Sequence, residues 1–287
     1  MANSFLFYGP KGVGKKRLVA EKISKIVGHN LLEEAIFSGK IEDIFLLEPL
    51  EEEKKGKKNI KDISVEQTRA AINFLNFLPI VLNKRFLIVD QAEKMNLAAG
   101  NSLLKIVEEP PQRAVIIFLA ENLENILPTL ISRLEKIHLP LLSEVELEKH
   151  LKKQKAFLEE ERLRKIIDLS FGRVVLAEKY LTDEILLLSQ ENRLNEFRLA
   201  VKGSLVEGFS LAENLANDKK SAQEAIDNWI FYLRKFLVGS IVRKEIGLAA
   251  EKKLVKLIEE LLKVKEKLKR PSVNARLVWE NFFLSIN

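Results

Sequence analysis

The opening of the chain constrains its fold more than any other segment. Ser4-Phe5-Leu6-Phe7-Tyr8 is an apolar run of strand length, and Gly9-Pro10-Lys11-Gly12-Val13-Gly14-Lys15-Lys16 follows it without a linker. A strand, a glycine-rich turn and then a helix form the phosphate-cradling unit of P-loop proteins. Gly9, Gly12 and Gly14 permit a tight turn and a close backbone approach. The N-terminus of the following helix favours an anion, and Lys15 is placed to pair with β- and γ-phosphates. The last position departs from the pattern. Lys16 has no hydroxyl to offer Mg²⁺, and it adds a second positive charge beside Lys15.

Strand-like runs alternate with helical patterns through the first half. Leu18, Ile23, Ile26 and Val27 recur at helical spacing after the turn. Residues 43–48 are a short apolar run closed by Pro49. Ser64-Val65-Glu66-Gln67 has the capping-box pattern and opens a helix through Phe74. Residues 85–90 read as a buried strand, and Asn96 as the cap of a helix that ends before Pro110-Pro111. Strands are predicted again over 114–120 and 135–139. Such alternation implies a parallel sheet with helices on both faces.

The strand Phe86-Leu87-Ile88-Val89 ends in Asp90, a position from which a carboxylate holds Mg²⁺ through water. Gln91 follows where a hydrolytic relative would carry a carboxylate base. An amide of that shape does not accept a proton at neutral pH. Glu93 is the alternative carboxylate, although at a helix start it equally serves the dipole.

From Ser143 onward the chain reads as helices only. Ser143-Glu144-Val145-Glu146 is another capping-box pattern, and helices near 158–168 and 172–181 complete a small bundle. Longer amphipathic stretches are predicted over roughly 191–208, 219–242, 247–269 and 272–285. In the third of these, Leu254, Leu257, Ile258, Leu261 and Leu262 form one apolar stripe. The charge run over 51–58 is read as an exposed loop.

Charge and composition exclude several classes. The net charge of +6 divides into +2 over residues 1–140, −1 over 141–200 and +5 over 201–287. That mild excess permits nucleic-acid contact without requiring it. The longest apolar runs, such as Val115-Ile116-Ile117-Phe118-Leu119-Ala120, are too short to span a bilayer. No secretion signal is expected from the opening residues. The chain has no cysteine, which excludes disulfides and thiolate metal sites and fits a reducing cytoplasm. His29, His138 and His150 are too scattered for a metal cluster.

Four segments carry a resemblance to a known family. They are Ile63-Ser64-Val65-Glu66-Gln67-Thr68-Arg69, Val89-Asp90-Gln91-Ala92-Glu93-Lys94-Met95-Asn96, Gly100-Asn101-Ser102-Leu103-Leu104-Lys105-Ile106-Val107-Glu108-Glu109-Pro110-Pro111 and Leu127-Pro128-Thr129-Leu130-Ile131-Ser132-Arg133. They resemble the bacterial replication clamp loader, above all its delta-prime subunits of DNA polymerase III. Ser272-Val273-Asn274-Ala275-Arg276-Leu277 is similar to the family's last helix. The resemblance implies an α/β fold of AAA+ class: a P-loop module with a parallel sheet over 1–140, a helical lid over 141–187 and an all-α collar over 188–287. It implies a five-membered ring with gamma/tau and delta subunits, which uses ATP to open a sliding clamp and seat it on primer-template DNA in the cytoplasm. It implies that Arg133, preceded by Ser132, is an arginine finger donated in trans to ATP on a neighbouring subunit. Leu134 stands where the family motif has cysteine, which leaves the guanidinium's task unchanged. Arg173 falls at the lid position that contacts nucleotide in active relatives; a helix-start ion pair is its other available role.

The chain departs from the family in three further ways. The four zinc-binding cysteines often present in the family are absent, so no zinc is expected. Family members usually have a leading helical segment that touches adenine, and here the first strand begins almost at once, which leaves adenine recognition open. Glu121 falls at the sensor position, where an acidic side chain is poorly suited to a γ-phosphate.

The leading reading is a non-hydrolysing clamp-loader subunit, with ATP or ADP either held without turnover or not held. The alternative is a divergent gamma/tau-like motor that uses Glu93 or another carboxylate as base. A P-loop enzyme acting on a small substrate is the third, and no substrate-binding signature supports it.

Overall fold

The computed structural model describes residues 3–54, 57–155, 157–244, 246–268, 270 and 273–286. The chain forms two compact units, Met1–Ser143 with Arg173–Val175, and Glu144–Gly172 with Leu176–Asn287. In the first, five strands form one sheet: β1 (Ser4–Tyr8), β2 (Ile44–Leu47), β5 (Arg85–Val89), β6 (Ala114–Ala120) and β7 (Glu135–His138). Their order is β2-β5-β6-β1-β7, with every pairing parallel. Helices α1 (Lys15–Val27), α2 (Glu33–Phe37), α3 (Val65–Leu75), α4 (Leu97–Glu108) and α5 (Pro128–Ile131) connect and cover the strands.

The sheet is covered on both faces because alternate residues point opposite ways. Leu6, Leu87, Val89, Ile116 and Phe118 pack with Ala71 of α3 and Leu103 of α4. Phe5, Phe7, Phe86, Ile88, Val115 and Ile117 pack with Val19, Ala20 and Ile23 of α1. Both β5 and β6 are buried at every residue, as strands with two covered faces must be. Each such large side chain contributes roughly 1.5–3 kcal/mol by leaving water.

Local signals set the helix starts. The Ser64–Gln67 capping box is present at α3, and Asn96 accepts from the Ala99 N–H at 2.8 Å to cap α4. Asp43, fully buried, accepts from the N–H groups of Ile80, Val81 and Leu82 at 2.6–3.0 Å. Arg85 lies beside it at 3.8 Å and donates to the Leu78 carbonyl at 2.9 Å. One buried carboxylate thus ties the loop before β5 to the start of β2.

Two expectations are corrected. The charge run over 51–58 is not a loop: β3 (Glu51–Lys54) and β4 (Lys57–Ile60) form an antiparallel hairpin. Its backbone register runs from Glu51 opposite Ile60 to Lys54 opposite Lys57; Lys55 and Gly56 lie outside the described residues. The single helix expected over 191–208 is two. Chain-order numbering continues with α6 (Glu144–Gln154), α7 (Glu160–Ser170), α8 (Val174–Thr182), α9 (Glu184–Lys202), α10 (Leu205–Asn217), α11 (Lys219–Arg243), α12 (Leu248–Leu268) and α13 (Ala275–Ile286). The break falls at Gly203-Ser204, where Ser204 and Glu207 make a capping box for α10. Ser272, which was placed in the last helix, lies outside the described residues.

The second unit is entirely helical among the described residues. Trp229 stacks on Phe197 at 4.3 Å and meets Trp279 edge-on at 5.8 Å. Helix α12 buries Leu257, Ile258, Leu261, Val264 and Leu268, while Leu262 of the expected stripe is exposed. Among the described residues no helix is long and apolar enough to cross a membrane.

Candidate functional site

A cavity of about 370 Å³ opens at the carboxyl ends of β1, β5 and β6, the edge at which open parallel sheets bind ligands. The loop between β1 and α1 forms one wall. Gly9, Gly12 and Gly14 have φ of 150°, 86° and 90°, a region that side chains disfavour. A Cβ on Gly9 would collide with the Leu139 carbonyl oxygen, and one on Gly12 would press on the Arg173 side chain at 3.3 Å. The Val175 N–H donates to the Gly12 carbonyl at 3.0 Å. Buried Arg173 is therefore packed on the loop, although it does not line the cavity.

Gly14 caps α1 in a left-handed conformation without a side-chain hydrogen bond, which leaves the helix start open toward an anion. Lys15 turns back on the loop and donates to the carbonyls of Gly9 at 2.5 Å and Pro10 at 3.1 Å. Burial pushes its ammonium below the ordinary lysine value, while Glu121, Glu93 and Asp90 pull it back up.

Lys16 decides whether Mg²⁺ fits. Its ammonium lies 2.9 Å from the Asp90 carboxylate and 4.8 Å from the centre of the Phe37 ring. One metal-binding position is thus a cation, and the other is neutralised by it. A divalent ion there would lack the hydroxyl ligand and stand against a like charge, so the residues do not fit the metal. Gln91 adopts φ 54°, ψ 51° and donates its backbone N–H to Asp90 at 2.9 Å. A left-handed glutamine is uncommon and strained.

Glu93 belongs to this cavity rather than to a helix dipole alone. One of its oxygens accepts from the Glu121 N–H at 3.4 Å, and the other is buried without a partner. Burial raises its pKa above the ordinary glutamate value, and the Glu121 charge adds to the rise. Around the cavity Lys11, Lys15, Lys16 and Arg17 face Glu33, Asp90, Glu93 and Glu121.

Arg133 lies apart from this cavity. It follows α5, is exposed, and is not among the lining residues. Its Nε donates to Glu108 at 2.9 Å and its Nη1 to the Thr129 carbonyl at 2.9 Å. Ser132 donates its hydroxyl to the same Thr129 carbonyl at 3.0 Å. Leu134, in place of the family's cysteine, is buried in the sheet core. The sequence reading missed Glu108 and Thr129 as partners of the guanidinium, although both lie in the segments that carry the resemblance.

Fold and cavity together define the class: a P-loop α/β module, with a phosphate loop on the carboxyl edge of a parallel sheet. A family model described as DNA polymerase III, delta subunit matches residues 1–143. The delta-prime subunit of DNA polymerase III from Pseudomonas aeruginosa is 29% identical over 150 residues, covering 49% of this chain and 44% of that protein. Residues 1–143 are of the clamp-loader family of bacterial DNA polymerase III, and they are delta-prime-like. The chain's match spans less than half the length of the Pseudomonas protein. The gamma subunit of DNA polymerase III from Buchnera aphidicola subsp. Acyrthosiphon pisum is 24% identical over 296 residues, covering 98% of this chain and 74% of that protein. A DNA polymerase III, gamma subunit-related protein of Thermotoga maritima has a structure that matches with a TM-score of 0.56 at 20% identity, covering 100% of this chain and 95% of that one. That likeness concerns the fold.

Proposed function

We propose that this chain is a non-hydrolysing, delta-prime-like subunit of the replicative clamp loader, and that Arg133 completes the ATP site of a neighbouring subunit. The observation that carries the reading is the placement of Arg133: exposed, oriented by Glu108 and Thr129, and outside this chain's own cavity. A guanidinium so placed serves the transition-state charge of another protomer's phosphoryl transfer. The chain's own site supports the same division of labour, since Lys16 replaces a metal ligand and Gln91 a base. Gamma/tau and delta subunits are the partners in the ring, with sliding clamp and primer-template DNA reached through the complex. Residues 141–187 are assigned to a lid and 188–287 to a collar.

The test is a reconstituted ring with the other ATP sites silenced. Arg133→Ala is expected to lower turnover at the served site on the order of 10³-fold with assembly intact. Unchanged turnover would remove the finger role. One observation favours a second reading, a divergent motor: Glu93 sits in the cavity with an unpartnered oxygen and a raised pKa. Brisk ATP hydrolysis by the isolated chain, abolished by Glu93→Gln and by Lys15→Ala, would establish that reading instead.

A further inference from the structure

The Lys16–Asp90 pair has a consequence for what the cavity binds. The ammonium sits on the carboxylate at 2.9 Å, flanked by the Phe37 ring at 4.8 Å. A cation–π contact of this kind holds a lysine head in place. Lys16 is the second residue of α1, whose start bears no side-chain cap, and its head borders the cavity beside Lys15. A divalent ion in a P-loop bridges phosphate oxygens to a hydroxyl and a carboxylate. Here one ammonium already spans the same gap, touching the carboxylate while partly open to the cavity.

We infer that Lys16 is the resident cation of the phosphate loop, so that the cavity takes the polyphosphate of a nucleoside di- or triphosphate as the metal-free anion. Lys15 leaves the Gly9 and Pro10 carbonyls to meet the phosphates, and Lys16 neutralises them from the position of the missing ion. Binding then gains nothing from Mg²⁺, which must be stripped from the nucleotide before it enters. The inference rests on the reading of the chain as non-hydrolysing only in that bound nucleotide persists.

A fluorescent ADP analogue titrated into the full chain, in excess Mg²⁺ or in EDTA, tests it. The expected dissociation constants agree within about twofold, or favour EDTA, whereas Lys16→Thr binds about tenfold more tightly with Mg²⁺ than without. Asp90→Asn, which frees the Lys16 ammonium, is expected to tighten metal-free binding. A melting curve for each variant shows whether it folds. Wild-type binding strengthened tenfold by Mg²⁺ would overturn the inference, and so would an absence of binding in both conditions. Neither result touches the Arg133 role, whose readout is turnover on the neighbouring subunit.

Discussion

Glu93 keeps one carboxylate oxygen sealed from solvent without a partner, so its ionised form is opposed by burial and by Glu121. Its folded pKa therefore lies above the unfolded value of 4.5. Between those two values the native state holds more protons than the unfolded one, so stability falls as pH rises through that window. Above it the penalty is complete. Glu93→Gln is expected to raise the melting temperature at neutral pH, by less than about 4 °C, and to lose that advantage below pH 4.5. A thermal melt across pH checks both halves; a Gln variant less stable than wild type at neutral pH would contradict the burial argument. Gln91 leads to a second residue-scale expectation. Restoring a carboxylate with Gln91→Glu leaves ATP turnover at background, because Lys16 still occupies the place of the metal ligand. Turnover rising about tenfold or more in that single variant would show that the base alone was missing.

Elements built on apolar patterning were legible, and those built on charge or pairing were not. Strands β5 and β6 left continuous apolar runs because both their faces are covered. The hairpin of β3 and β4 was read as a loop because its ladder depends on register between two charged arms, which composition does not display. The break between α9 and α10 had a signal that went unread, since Ser204 and Glu207 repeat the capping-box spacing recognised at Ser64. Asp43 was legible only as the edge of an apolar run, yet its carboxylate holds three consecutive N–H groups beside buried Arg85. Removing one partner of such a pair strands the other charge. Asp43→Ala is expected to cost about 3–5 kcal/mol, measured by urea unfolding of the first unit. A loss below about 1 kcal/mol would mean that water takes over the carboxylate's role.

Across the whole chain, the candidate residues were identifiable one at a time, while the contacts that give them meaning join distant segments. Lys16 and Gln91 announced themselves as departures from a pattern, but the Lys16–Asp90 pair exists only because β5 and the loop after β1 end on the same edge of the sheet. The same holds for association. Val238, Ile241 and Val242 lie on one face of α11 by their spacing, and all three are exposed, Val242 to 76%. The inner stripe of α11, including Ile226, Trp229 and Leu233, already fills the core of the helical unit. Single exposed aliphatics are ordinary, but three on one helical face form a patch of the kind that marks an interface. If the chain works as a ring subunit, this face meets a neighbour, and lysine at Val238 and Val242 should block it. The double variant is expected to stay within about 0.5 kcal/mol of wild-type stability, because both side chains already face water. Its sedimentation with gamma/tau- and delta-type subunits should show no complex where the wild type forms one. Assembly at wild-type affinity would move the interface off α11, and failure to fold would mean that these side chains support their own unit instead.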